Sequence, residues 1–119
     1  MAYDVHLVNR VREFLAEVPD IAIEEKEMFA VLNFVVDGKT CVCVSGEKLM
    51  LRFDPALQEE LSERDGYETM LMKGKTYKGY CYINQEGFSN KKDFDYFINI
   101  CLDYNKVSNK SKRKKTTNR

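Results

Sequence analysis

Apolar residues repeat with a helical period at the two ends of the chain and with a strand-like period between them. Near the N-terminus, apolar residues follow Asp4 at spacings of three and four as far as Pro19, which predicts a first helix capped by Asp4. Towards the other end, Ser89 precedes a longer helical stripe. The apolar members of that stripe are Phe94, Phe97, Ile98, Cys101 and Leu102.

The middle of the chain is rich in β-branched and aromatic residues and is divided by turn signals. Asp37-Gly38 favours a two-residue type I′ hairpin, in which both central residues need a positive φ. Asp54-Pro55 predicts a short helix, because a carboxylate caps it and proline suits its first position. The pattern predicts strands near Met28–Val36, Lys39–Ser45, Lys48–Phe53, Glu68–Met72 and Lys78–Ile83, with an earlier strand or bulge near Ile23–Lys26.

The predicted order of elements is α-β-β-β-α-β-β-α, with about five strands and three helices. A chain of 119 residues is long enough to form one such domain without disulfide bonds, and we place the domain at residues 1–104. Beyond Tyr104 the composition turns to Lys, Ser, Asn, Thr and Arg. Such a segment cannot offset its ordering entropy, so we predict that residues 105–119 form a disordered tail.

The formal net charge of zero hides a division between the body and this basic tail. The tail carries seven basic residues and no acidic ones, which leaves 12 basic and 19 acidic residues in the body, a net charge of −7. A flexible basic arm binds phosphates without reading sequence, although it equally suits a solubilising end or a segment that folds back onto the acidic body. The candidate nucleic-acid contacts are Lys110, Lys112, Arg113, Lys114 and Lys115, together with Lys75 and Lys78.

Lys75 and Lys78 lie beside three tyrosines, Tyr77, Tyr80 and Tyr82. A mixture of aromatic and basic residues suits the stacking of single-stranded bases. The tyrosines suit ordinary strand positions equally well. The neighbouring glycines lack the spacing of a phosphate-binding P-loop, so solvated lysines in a turn explain this connection better than a phosphate site does.

The predicted hairpin register gives the sheet two apolar faces. A two-residue turn at Asp37-Gly38 pairs Phe34 with Cys41 and Leu32 with Cys43, and valines fill the opposite face. Helices cover one face, and we predict that a second copy of the chain covers the other, because symmetric dimers are the commonest assemblies. Cover by the chain's own segments is the alternative. The candidate dimer face consists of Leu32, Phe34, Cys41, Cys43 and Met50.

Few residues suit catalysis or metal binding. His6 is the only histidine, so any histidine-activated nucleophile would depend on it alone. Cys41 and Cys43 point to the same side of a strand and, with Cys81, offer three thiols. The chain has no C-x-x-C pair, however, and a free cysteine packs readily as a small hydrophobic residue. We predict no enzymatic activity, no metal and no cofactor.

The sequence predicts a cytoplasmic protein without membrane contact. No apolar run approaches the ~20 residues that a spanning helix needs. Polar and charged residues interrupt the N-terminal segment, which is unlike a signal peptide.

Short motifs run through the predicted elements in a characteristic order. They are Ala2-Tyr3-Asp4, Arg10-Val11-Arg12, Met28-Phe29, Gly38-Lys39, Val44-Ser45-Gly46, Leu49-Met50-Leu51-Arg52, Pro55, Gly74-Lys75, Lys78-Gly79-Tyr80 and Tyr82-Ile83. Together they resemble the N-terminal domain of the TfoX/Sxy competence-regulator family, from Ala2 to about Tyr104. The resemblance implies an α+β fold in two layers, with an antiparallel sheet of about five strands and three helices, similar to that of type III secretion chaperones. It implies this fold for a stand-alone, single-domain member.

The resemblance also implies a role in transcription regulation, since two-domain members are linked to the transcription of DNA-uptake genes together with a cyclic-AMP receptor protein. The chain departs from the family at Ala30-Val31, where two glycines are usual, and at Tyr77, where methionine is usual. We therefore expect a non-enzymatic regulatory or protein-interaction module that forms a homodimer with the same chain or binds an unknown protein. The alternative is an accessory nucleic-acid-binding protein acting through its basic C-terminal tail.

Overall fold

Helices and a sheet form two layers. The computed structural model describes residues 3–28, 30–72 and 74–117, with their side chains except those of Met72, Thr76 and residues 108–117. In this part of the chain the helices are α1 (Val5–Ala16), α2 (Gln58–Ser62) and α3 (Lys91–Thr117). The strands are β1 (Ile23–Met28), β2 (Val31–Val36), β3 (Lys39–Ser45), β4 (Lys48–Arg52), β5 (Tyr67–Met72) and β6 (Lys75–Ile83).

The predicted α+β fold is confirmed. The described strands form a single antiparallel sheet in the order β1-β2-β3-β4-β6-β5. Its six strands exceed the predicted five because the segment near Ile23–Lys26 forms β1, a full strand at one edge. All residues of β1 are exposed and most are charged, which discourages pairing with other chains at that edge.

Local signals in the sequence place the ends of several elements. The Asp4 carboxylate accepts a hydrogen bond from the backbone N–H of His6 at the start of α1. The Asp54 carboxylate does the same for Ala56 at the start of a single 3₁₀ turn, Pro55–Leu57, which leads into α2. Asp37 and Gly38 have φ values of 52° and 85°, as a type I′ turn requires, and Val36 pairs with Lys39 across them.

Beyond this turn, the predicted register of the β2–β3 hairpin is wrong. A register shift between Phe34 and Val35 pairs Phe34 with Val42 instead of Cys41. Both Cys41 and Val42 are fully buried in the core, as expected when a β-bulge sets two residues of one strand against one residue of its partner. The bulge therefore places the valines of β3, rather than its two cysteines, beside Leu32 and Phe34.

The core fills the space between the helices and one face of the sheet. Residues of α1 and α3 supply one side of it, and alternate residues of β2, β3, β4 and β6 supply the other. The predicted apolar stripe of α3 is confirmed, because all five of its members are buried there. The buried helical residues are Leu7, Val8, Val11, Leu15, Leu61, Phe94, Phe97, Ile98, Cys101 and Leu102.

α3 continues beyond the predicted domain boundary at Tyr104. Its backbone is helical as far as Thr117. Asn105 is only 2% exposed, and its side-chain amide donates a hydrogen bond of 2.9 Å to the carbonyl of Val36, beside the β2–β3 turn. The folded domain thus extends past Tyr104 to include Asn105, because this residue joins the helix to the hairpin. The disorder of the rest of the segment stays a prediction. Its side chains lie outside the described part from Ser108 onward, and residues 118 and 119 lie outside it altogether.

In the described part of the chain, no helix is both long enough and apolar enough to cross a membrane.

We expect Asn105→Ala to lower the free energy of unfolding by about 1–3 kcal/mol, because it removes the donor to a buried carbonyl. Urea denaturation of the full chain measures the change. Lys106→Ala, at the exposed neighbouring position, is the control and should stay within about 0.5 kcal/mol of the parent. Equal stability of the two variants would show that the helix–hairpin contact contributes nothing.

A second prediction concerns the pH dependence of stability. Arg12 forms two hydrogen bonds with Glu25 of β1, of 2.7 and 2.8 Å, and these hold the pKa of that carboxyl below its ordinary value. A lowered folded-state pKa contributes stability above the unfolded-state pKa of about 4.3, and this contribution is lost as the pH falls through the folded-state value. Because the pair is partly exposed, we expect a contribution of at most about 1 kcal/mol.

Urea denaturation of Glu25→Gln between about pH 6 and pH 3 tests this, and its stability should fall less than that of the parent. Glu24→Gln, on the other face of β1, is the matched control and should follow the parent. An unchanged pH profile for Glu25→Gln would contradict the assignment.

Candidate interaction surface on the sheet

The sheet has a second face, opposite the helices, which we call the outer face. Directly paired residues of antiparallel strands share a face, so the strand pairing identifies its members. None of its residues belongs to the cluster that packs against the helices. The central row of this face, in order across the sheet, is Lys26, Asn33, Cys43, Met50, Tyr82 and Glu68.

The candidate dimer face from the sequence divides between the two faces. Cys43 and Met50 lie on the outer face, as neighbours in the central row. Leu32, Phe34 and Cys41 lie in the core under the helices, and the shift of the β2–β3 register at the bulge puts Cys43 on the opposite face from them. Those three residues are therefore unsuited to contact a partner.

A buried polar group that the sequence analysis missed lies at the centre of the outer face. Asn33 is 5% exposed, and its amide donates to the Thr40 hydroxyl at 3.1 Å. Its carbonyl oxygen accepts from the Cys43 thiol at 3.4 Å. The asparagine is thus satisfied on both sides, as a buried amide must be. An asparagine inside the apolar run of β2 was the signal that could have marked it.

The buried thiols are poor nucleophiles and poor metal ligands. Burial raises the pKa of Cys41, Cys43 and Cys81 to about 12, so each is protonated at neutral pH. Only the thiolate attacks electrophiles and binds metals. Among the residues that the structure describes, no group of three His, Cys, Asp or Glu side chains is placed to hold a metal ion.

The part of the outer face formed by β1, β2 and β3 mixes apolar side chains with polar and charged ones. Met28 is 47% exposed, Val31 is half-buried and Val35 is buried. Glu24 and Lys26 share this face, two residues apart on β1. The patch therefore carries both signs of charge beside apolar side chains.

The part formed by β4 and β6 is aromatic and basic. The rings of Tyr77 and Tyr80 are stacked, with centroids 5.0 Å apart and planes inclined by 27°. The Lys48 ammonium lies 5.7 Å from the centroid of Tyr82. The guanidinium of Arg52, which pairs with Tyr80 across the sheet, lies 5.0 Å from the centroid of Tyr104 on α3.

Gly79 explains how Tyr77 and Tyr80 meet. Residues three apart in a regular strand point to opposite faces. Gly79 has a φ of +87°, its N–H donates to the Gln58 side chain at 2.8 Å, and its carbonyl accepts from the Phe53 N–H at 2.9 Å. This interruption of the alternation in β6 allows the two rings to stack.

The predicted nucleic-acid contacts are only partly visible. Lys75 and Lys78 are exposed on β6, on either side of Tyr77. The structure also places Arg52 beside Tyr80 in the neighbouring strand, which sequence spacing could not show, whereas Lys48 lies at the other end of β4, beside Tyr82. The side chains of the remaining candidates lie outside the described part, and these are Lys110, Lys112, Arg113, Lys114 and Lys115.

His6 lies at the exposed start of α1, in a cleft of about 200 Å³ that also contains Asp4 and Ser89. The Asp4 carboxylate accepts hydrogen bonds there from the backbone N–H of His6, at 2.9 Å, and from the side-chain amide of Gln85, at 3.5 Å. The Asp4 carboxylate therefore caps the helix by binding the backbone of His6. In a catalytic triad, by contrast, the carboxylate hydrogen-bonds to the histidine ring and orients it.

A larger groove of about 610 Å³ runs between α1 and α3. Its Arg10 side chain lies 4.1 Å from the centroid of Phe94 and donates to the carbonyl of Phe88 at 3.2 Å. These contacts fix the arginine against the protein. The outer face of the sheet is therefore the stronger candidate for an interaction surface.

Comparison with known proteins yields one family. The TfoX N-terminal domain matches residues 13–104, from within α1 to the middle of α3. No curated protein and no solved structure matches the chain. The match covers most of the chain and includes the whole sheet, so the protein belongs to the TfoX N-terminal domain family.

Proposed function

We propose that the protein is a non-enzymatic, cytoplasmic module of transcription regulation that forms a homodimer through the β1–β3 part of its outer face. Family membership supports a competence-regulator-like module. The single observation behind the dimer is that the apolar side chains of Met28, Val31, Val35 and Cys43 lie on the sheet face that the helices leave uncovered. An antiparallel sheet with one solvated face normally presents polar residues there.

Burial within this patch supports association. Val35 and Cys43 are already buried, beside the equally buried Asn33. Met28, Val31 and Met50 around them keep part of their surface exposed. A partner that covers these three side chains would bury apolar surface and would remove only a few polar groups from water.

The charges of β1 favour a second copy as the partner. In a two-fold symmetric dimer, two contacts always come together. If residue i of the first copy contacts residue j of the second, then residue j of the first copy contacts residue i of the second. Glu24 and Lys26 lie on this face two residues apart. Two β1 strands that meet face to face in antiparallel directions, without pairing along their edges, would set each lysine against a glutamate of the other copy. The patch is thus complementary to itself in charge.

We expect Met28→Glu to weaken dimerisation at least about tenfold, because it introduces a charge into the apolar contact. Sedimentation equilibrium over a range of protein concentrations measures the association constant. Val5→Glu is the matched control, since Val5 is 46% exposed against 47% for Met28 but lies on α1 in the other layer. A monomeric parent protein, or equal losses in both variants, would rule out this interface.

A second candidate function is accessory nucleic-acid binding through the basic C-terminal segment. Its support is the separation of charge, with seven basic residues after Tyr104 and a body of net charge −7. The helical backbone of α3 continues through this segment, so its basic residues would follow a helix that is joined to the sheet at Asn105. Such a helix would bind phosphates of any sequence.

The test is the salt dependence of duplex-DNA binding by the full chain. Replacing Lys110, Lys112, Arg113, Lys114 and Lys115 by glutamine should reduce the slope of log K against log salt concentration by about four, since each phosphate contact contributes about 0.9. Replacing Lys91 and Lys92 by glutamine, at the opposite end of α3, should leave the slope unchanged. The same slope in the parent and the tail variant would refute this function.

A further inference from the structure

We propose that the β4–β6 end of the outer face is a stacking site for single-stranded nucleic acid, with Tyr77 and Tyr80 as the platform for the bases. This goes beyond both proposed functions, because it assigns a binding site to the folded body. It is separate from the dimer patch on β1–β3 and does not need the basic segment of α3.

The tyrosine pair is the first observation. Tyr77 is 46% exposed although its ring stacks on Tyr80, so part of the ring surface is available to solvent. Stacking restrains the ring before any ligand binds, which lowers the entropy cost of binding. An exposed, restrained aromatic ring on an open sheet is the feature on which single-stranded nucleic-acid-binding proteins stack bases.

Hydrogen bonds hold the backbone at Gly79, which lies between the two tyrosines. Gly79 is held by hydrogen bonds to Gln58 and to Phe53, and the Gln58 amide also donates to the Tyr67 hydroxyl at 2.6 Å. A Cβ at position 79 would lie 3.3 Å from the carbonyl oxygen of Phe53, and the φ of +87° would strain any L-residue. The segment that carries both tyrosines is therefore fixed by contacts outside β6.

Charge is the second observation, because this end of the sheet is basic on a body of net charge −7. Lys75 and Lys78 flank Tyr77 and are exposed. Arg52 is the cross-strand neighbour of Tyr80, and its guanidinium also donates a hydrogen bond to the carbonyl of Thr40 at 3.3 Å. The acidic residue of the central row here is Glu68, and its carboxylate already binds Lys48 at 2.5 Å and Asn84 at 3.0 Å. Cations around a pair of rings fit a ligand that alternates phosphates with aromatic bases.

The position of α3 is the third observation. Arg52 contacts the ring of Tyr104, and the basic part of α3 begins directly after this residue, with exposed Lys106. A strand stacked on Tyr77 and passing Arg52 would thus approach the start of that segment. The aromatic site and the basic helix are neighbours at one end of the molecule.

Only unpaired bases can stack on the tyrosines, because in a duplex the faces of each base are covered by the neighbouring bases. The site therefore predicts tighter binding of single strands than of a duplex of equal length. An acidic protein would satisfy the cations but would not depend on a flat ring at position 77. Replacing that ring separates the two kinds of partner.

The experiment measures fluorescence anisotropy of labelled oligo-dT, oligo-U and duplex DNA of equal length with the full chain at about 50 mM salt. We expect Tyr77→Ala to weaken binding of a single strand about tenfold, and Tyr77→Phe to stay within about twofold, because phenylalanine keeps the stacking ring. Comparing oligo-dT with oligo-U shows whether the ligand is DNA or RNA.

Two charge variants form a matched pair. Lys78→Glu should weaken single-strand binding and flatten its salt dependence, whereas Lys92→Glu, exposed on α3 far from Tyr104, should have no effect on the single-strand affinity. The variant with five glutamines in the basic segment should still prefer single strands to duplex. Loss of that preference would assign the binding to the segment and overturn the proposal.

Three further results would overturn it: no single-strand binding by the parent, equal affinities of Tyr77→Ala and Tyr77→Phe, or equal losses in Lys78→Glu and Lys92→Glu. Sedimentation equilibrium should give the same dimerisation constant for Tyr77→Ala as for the parent protein. If dimerisation fails in the parent while the tyrosine variants still differ, only the dimer proposal is refuted.

Discussion

The β-bulge opposite Phe34 is the constraint on which the rest of the structure depends. By setting Cys41 and Val42 together against one residue of β2, it buries both under the helices and returns Cys43 to the outer face. Without the shift, every later residue of β3 would exchange faces, because side chains alternate along a strand. The bulge thus decides which residues form the core and which form the surface that a partner can reach.

This explains why the sequence predicted the elements well and the faces poorly. Asp4, Asp37-Gly38 and Asp54-Pro55 act on the backbone within a few residues, so their effects could be predicted from the sequence alone. The register of β3 depends on packing against α1 and α3, which no local signal specifies. Cysteine and valine are both apolar, so either face of β3 could have entered the core. The larger valines pack there, and the bulge adds Cys41.

The candidate site was predictable only in part for the same reason. Tyr77, Lys75 and Lys78 are close in sequence, and their association was visible in the chain. The stacking of Tyr77 on Tyr80 needed the positive φ of Gly79, and a glycine alone does not reveal which conformation it adopts. Arg52 and Tyr104 belong to different elements, so only the packing of α3 against the end of β4 brings them together.

Asn105 links these parts, because it joins α3 to the carbonyl of Val36 just before the basic segment begins. A flexible arm would sample a large volume around the body, and its phosphate contacts would be independent of the sheet. A helix fixed at Asn105 instead starts at a defined place, close to Arg52. A single strand held at the tyrosines, as we propose, would then meet the basic residues at a raised effective concentration. The hydrogen bond that holds the hairpin to the helix would in that complex also determine whether the two basic regions act on one ligand.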